Sequence, residues 1–173
     1  MIPGRGPAYA LLGLAGLLVA IAVSSGWRGA TRLVGREGDR AAVEAAAAAF
    51  VRAYGGFDFR DPEGYTARLV ELTAGELRTA IAEAAVDSSA VAQQRASSAH
   101  IESVSVTALS DIAATATVRA THERSRLDQA SGALVQERVT QHVSLRLVRE
   151  DGRWLVAELL VLGEQPAGAP GVR

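Results

Sequence analysis

Apolar and polar positions alternate most clearly over residues 139–162, VTQHVSLRLVREDGRWLVAELLVL. Val139, Val143, Leu145 and Leu147 recur at even spacing, with Thr140, His142, Ser144 and Arg146 between them. A period of two marks a strand with one buried face. Asp151-Gly152 then interrupts the run. That dipeptide suits the tight primed turn of a β-hairpin, whose central residues need positive φ. On the returning arm Trp154, Leu155, Val156, Leu159, Leu160, Val161 and Leu162 leave almost no polar face, which predicts a strand inside the sheet, covered on both sides. Residues 101–109 predict an earlier strand with Val104, Val106 and Ala108 on one face, and Ser110-Asp111 turns the chain. Ile112, Ala114, Ala116, Val118 and Ala120 are the alternating positions of the next strand, and residues 126–132 form a long hairpin tip. The expected product is a four-stranded antiparallel meander.

Before residue 100 the period is 3.6. Val43, Ala46, Ala47, Phe50, Val51 and Tyr54 share one helical face, Asp39 is placed to cap it, and Gly55-Gly56 ends it. Asp61-Pro62 begins a second helix, with Asp as cap and Pro in the first turn. Thr73-Ala74-Gly75-Glu76 fits a capping box for a third, which turns Leu77, Ile81, Ala84 and Ala85 inward. Asp87-Ser88-Ser89 breaks that helix and caps a further turn or two, through Arg95.

Ahead of these elements, residues 8–23 read AYALLGLAGLLVAIAV and carry no charge. A helix from Tyr9 to Trp27 would run ~28 Å against a hydrocarbon core of ~30 Å, with an aromatic residue at each interface. A cleaved signal peptide is the rival: Arg5, an apolar stretch, then Ala20-Ile21-Ala22 as the cleavage site. Orientation carries a conflict. Arg28, Arg32, Arg36 and Arg40 follow the span, and the positive-inside rule would hold them in the cytoplasm, whereas the expected location is a single-pass cell-membrane protein with its domain extracytoplasmic. The expected organisation is an anchor over 1–25, a Gly/Arg stem over 26–38, an α+β domain over 39–162 and a disordered tail over 163–173, rich in Gly and Pro.

Composition narrows the chemistry. The formal net charge is −1, so there is no basic field for nucleic acid. Every basic residue other than His is Arg, a bias we ascribe to a GC-rich genome. The absence of Cys removes disulfides, thiolate metal sites, thiol catalysis and Cys-borne lipid anchors.

Helices followed by a curled antiparallel meander is an α+β design with helices on one face. It resembles the nuclear transport factor 2-like, cystatin-like superfamily. More narrowly, the single span, the Ala-rich helix ending FVRAYGGFDFRDPEGY and the terminal LVREDGRWLVAEL resemble small membrane-anchored proteins of actinobacterial envelopes. Two groups fit: the Mce-associated membrane proteins, and the inner-membrane assembly subunits of conjugative type IV secretion systems. Either resemblance implies a non-catalytic scaffold that works through the membrane and fellow subunits, with a second copy of itself as a further candidate partner; neither supplies catalytic residues.

Enzymes of the same superfamily place an acid or base in the cone between helix and sheet. Candidates for such a role are Tyr54, Asp58, His122 and His142. His142 falls opposite the apolar set, His122 at a strand end, and Asp58 in a connection beside Arg60. His100, His122 and His142 come from separate segments without ligand spacing. Tyr54, Phe57, Phe59 and Tyr65 form an aromatic cluster, expected to pack helix on sheet, and Arg119, Arg124 and Arg126 are expected to pair locally with Glu123 and Asp128. No catalytic, cofactor or metal residue is assigned, and the chain is expected not to be an enzyme.

Overall fold

The computed structural model describes residues 36–85 and 87–167. The apolar segment, most of the stem and the last six residues lie outside them, and among the described residues no helix is long and apolar enough to cross a membrane. Residues 36–55 are helical (α1), and the compact unit bearing the sheet begins at Arg40. Then follow α2 (Pro62–Glu71), α3 (Gly75–Glu83), α4 (Ser88–Ala92), β1 (Ala96–Leu109), β2 (Ala113–Leu127), β3 (Leu134–Glu150) and β4 (Arg153–Pro166). The strands form one antiparallel sheet in the order β1-β2-β3-β4. The fold is α+β, with helices packed on a curled meander.

One face of α1 makes the lid of the core. Val43, Ala47, Phe50 and Val51 are at most 1% exposed and meet Ala116, Val118, Val143, Leu145 and Leu147 from the sheet. Burying each larger side chain stabilises the fold by about 1.5–3 kcal/mol. The Asp151-Gly152 hairpin is as the pattern required: φ is 49° and 78° at the two positions, and Glu150 pairs with Arg153 across the turn. Trp154, which follows it, is 7% exposed.

Asp61 caps α2, its carboxylate accepting from the Gly64 amide at 3.0 Å, and Asp87 caps α4. The capping box at Thr73 does not form. The N-cap of α3 is Ala74, which has no side-chain cap. Thr73 is instead drawn into the core and donates its hydroxyl to the Leu69 carbonyl at 2.9 Å. The cause is a bridge to β4: Ala74 N donates to Val156 O at 2.9 Å, and Val156 N to Leu72 O at 3.0 Å. Two backbone bonds to the sheet displace the local cap.

Other boundaries shift for equally local reasons. β1 starts at Ala96, five residues before its apolar alternation, because residues 96–100 (ASSAH) pair with 121–125 of β2. Bulges between Ile101 and Ser103 and between Val106 and Ala108 re-phase the strand, so Ala108 is exposed and Leu109 packs on the core in its place. Ile112 lies in the turn, 73% exposed. β4 is an edge strand and not an inner one: beyond Val156 it is mostly exposed, and Leu160, Val161 and Leu162 are 61%, 45% and 56% exposed. Nor does the tail begin at residue 163. Gly163 to Pro166 pair with His142 to Val139 of the long β3, and a terminal Pro is tolerated on an edge.

Candidate functional site

The inward phase of β2 runs Ala114, Ala116, Val118 and Ala120, and continues to His122, Arg124 and Arg126. On β3 it runs Leu147, Leu145, Val143, then Gln141, Val139, Glu137 and Val135. The concave face is therefore apolar at one end and polar at the other. Ala120 pairs with Gln141 and His122 with Val139, which makes His122 and Gln141 diagonal neighbours on the same face. Glu164 of β4 lies opposite Gln141.

A network ties this end together. Arg124 grips Glu164 with its two terminal guanidinium nitrogens at 2.9 and 2.8 Å, and the Gln141 amide donates to Glu164 Oε2 at 3.0 Å. The Arg124 bond holds the Glu164 carboxyl below its ordinary range, and the same bond pushes the Arg124 guanidinium up. His122 is 2% exposed. Burial lowers its pKa, the Arg124 charge adds to that effect, and the Glu164 charge opposes it. Within the described residues His122 Nε2 and Gln141 Oε1 are buried with no hydrogen-bond partner, an arrangement that is costly unless a polar group meets them.

Above the concave face lies a cavity of about 1050 Å³ to which all eight elements contribute. Phe50, Tyr54, Leu69, Leu77, Ile81 and Leu159 supply apolar wall; Arg95, Arg124, Arg126, Asp87 and Glu137 stand on the charged part of the lining. Tyr65 donates its hydroxyl to the Tyr54 carbonyl at 2.9 Å, and burial pushes its pKa up to about 12. Phe50 stacks on Tyr54 with ring centres 6.1 Å apart, and Phe57 meets Tyr65 edge-on at 5.2 Å.

The four residues singled out from sequence are not brought together. Tyr54 lines the cavity. Asp58 closes a local turn, accepting from the Arg60 amide at 2.9 Å, and bridges Ala96 through its backbone. His142 is exposed on the outer face, opposite Arg119. His122 is not a strand-end surface residue but part of the inward row. Phe59 stands apart from the other aromatics, with Arg60 over its ring at 5.2 Å. Two arginines of the tip do not pair locally: Arg119 bonds Glu102 of β1 at 2.7 Å, Arg124 reaches Glu164, and Glu123 is taken by Arg138, while Arg126 stays within electrostatic reach of Asp128. Arg119–Glu102 and Glu123–Arg138 join adjacent strands, whose ladder fixes them side by side, whereas Arg124 reaches across β3 to β4. Among the described residues no three His, Asp or Glu side chains gather as a metal site. Gln141 and the inward phase of His122 escaped sequence reasoning, although both keep the even spacing of their strands.

No family model matches the chain, and no curated protein matches it. Solved structures do. An IcmL-like type IV secretion system protein from Legionella pneumophila subsp. pneumophila str. Philadelphia 1 aligns with a TM-score of 0.53 at 12% identity, over 78% of this chain and 97% of its own. An NTF2-like protein involved in plasmid conjugation aligns with a TM-score of 0.47 at 14% identity, over 74% of this chain, which spans only 50% of that protein's length. A periplasmic fragment of TraM aligns with a TM-score of 0.45 at 10% identity, over 68% of this chain and 92% of the fragment. At such identities the likeness is one of fold, and the IcmL-like protein is the one of the three that carries it.

Proposed function

We propose that the chain is a non-catalytic, membrane-anchored assembly subunit of an envelope secretion complex of the type IV kind, its residues 8–23 holding the domain against the membrane. Import complexes of the Mce type are the alternative setting for the same role. The observation that carries the proposal is the open edge of β4. Among the described residues its outer edge makes backbone hydrogen bonds only at Val156, yet beyond that point it presents Leu160, Val161 and Leu162 to solvent. Soluble domains normally block such an edge with charge, Pro or a covering element, and an added strand from a fellow subunit would complete it. The IcmL-like neighbour, itself a type IV secretion system protein, supports that setting. The test is a photo-crosslinking residue at position 160 or 162 of the full chain in its native membranes, with position 112 as the exposed control. Crosslinks to another envelope subunit at 160 and 162 alone are expected; yields no greater than at 112 would refute an edge-mediated assembly role.

A second reading, a small-molecule site, is favoured by the cavity of about 1050 Å³ and its largely apolar lining.

A further inference from the structure

Domain interiors are packed almost as tightly as crystals, with few voids larger than a water molecule. The cavity of about 1050 Å³ in this domain is not such a void but a half-open cleft, at the upper end of small-molecule sites, which run from roughly 300 to 1,000 Å³. Its wall is also unfinished. Leu77 and Ile81 of α3 line it, yet no residue of α3 is buried. Leu77 and Ile81 are only partly buried against the core, so an apolar group in the space beneath them would complete the burial of that side of the helix.

The charges of the lining are mostly spent. Asp87 caps α4 and pairs with Arg95 at 3.3 Å. Arg124 is held by Glu164, and Glu137 lies beside Arg124, whose charged form it favours. Arg126 differs: its guanidinium has no hydrogen bond or ion pair among the described residues, although it lies within electrostatic reach of Asp128. The Asp128 carboxylate is itself committed to the amides of Ala130 and Ser131 and to the Ser131 hydroxyl. Ser125 and Gln136 flank Arg126 on the same lining. One cation, on an exposed residue, is thus left at the polar rim of a cavity whose other end is apolar.

We propose that the cavity binds an elongated amphipathic carboxylate, its tail among Phe50, Tyr54, Leu69, Leu77, Ile81 and Leu159 and its head on Arg126. This rests on the second reading, that the cavity is a small-molecule site, and adds the ligand class.

The chain has no Cys, so a single thiol reports on the cavity. In the full chain reconstituted in nanodiscs, Ile81→Cys is labelled with a maleimide in the presence of dodecanoate, dodecanol or dodecylamine, and Ile112→Cys serves as the exposed control. Dodecanoate is expected to slow labelling at position 81 about tenfold and to leave position 112 unaffected. Dodecanol should need about ten times the concentration for the same protection, the advantage of a charge-assisted hydrogen bond, and Arg126→Gln should abolish that difference. Equal protection by all three amphiphiles would overturn the carboxylate assignment while leaving a small-molecule site standing. No protection by any of them, or a thiol that does not label at all, would overturn both.

Discussion

Gly55 closes α1 where that helix meets the sheet, and a single methyl there tests the packing of the whole domain. Its φ is not among the positive ones, so an alanine is conformationally allowed. By propensity alone Gly→Ala in a helix stabilises by about 0.5–1 kcal/mol. The structure predicts the opposite sign. An added Cβ would stand 2.5 Å from Ala99 Cβ and 2.6 and 2.7 Å from His122 Nδ1 and Cε1. Carbon atoms rest at about 3.5–4.0 Å, so helix and sheet must part by about 1 Å. Overpacking of that kind costs about 1–3 kcal/mol. We predict a net loss of about 2 kcal/mol for Gly55→Ala, or a fall in Tm of about 5–10 °C for a domain of this size, measured by thermal unfolding of the full chain. Adding Ala99→Gly should recover part of the loss. Gly38→Ala, with nothing within 4 Å of its Cβ, should leave Tm unchanged or higher. An unchanged or raised Tm for Gly55→Ala would refute the close approach of α1 to β1 and β2.

Three further outcomes follow from the same packing. Trp154, 7% exposed with Arg149 over its ring at 5.7 Å, should cost about 3–5 kcal/mol as Trp154→Ala, read from chemical denaturation midpoints. Because burial lowers the His122 pKa, the folded state prefers the neutral ring. Stability should therefore decline as pH falls below the unfolded value of about 6.5, and His122→Gln should flatten that decline between pH 7.5 and 5. Glu164 titrates below its ordinary value because of Arg124, so its contribution is present above the unfolded pKa of about 4.3 and is lost as pH falls through the folded one; Arg124→Gln should remove that acid-limb dependence in thermal unfolding at pH 5 and pH 3.

The hairpin at Asp151-Gly152, the Asp61 cap and the helical face of α1 were legible in sequence because each depends on neighbours within a few residues. The place of β4 was not. An apolar run such as LLVL reads alike whether two layers cover it or it awaits a partner, and only the strand order puts it at the edge. Thr73 misled for a related reason: a capping box is a local offer, and two bonds to Val156 from far along the chain outweighed it. At the candidate site, Ala120 looked like the end of the inward row because the next inward residue, His122, is polar. The spacing continued while the hydrophobicity stopped, and Gln141 was passed over between Val139 and Val143 in the same way. The cavity itself has no sequence signature, since residues that line a void are of the same types as those that fill a core.

The central claim is that the chain works through its anchor and its surface and not through a catalytic side chain. Complementation of a deletion strain at matched protein levels tests it most directly, with Tyr54→Phe, Asp58→Asn, His122→Gln and His142→Ala set against removal of residues 1–25. The point variants are expected to support secretion or transfer close to the unmodified chain. The truncated domain should fail even when folded, because the local concentration supplied by the membrane is gone. A folded point variant that fails, together with an anchorless domain that works, would contradict the account.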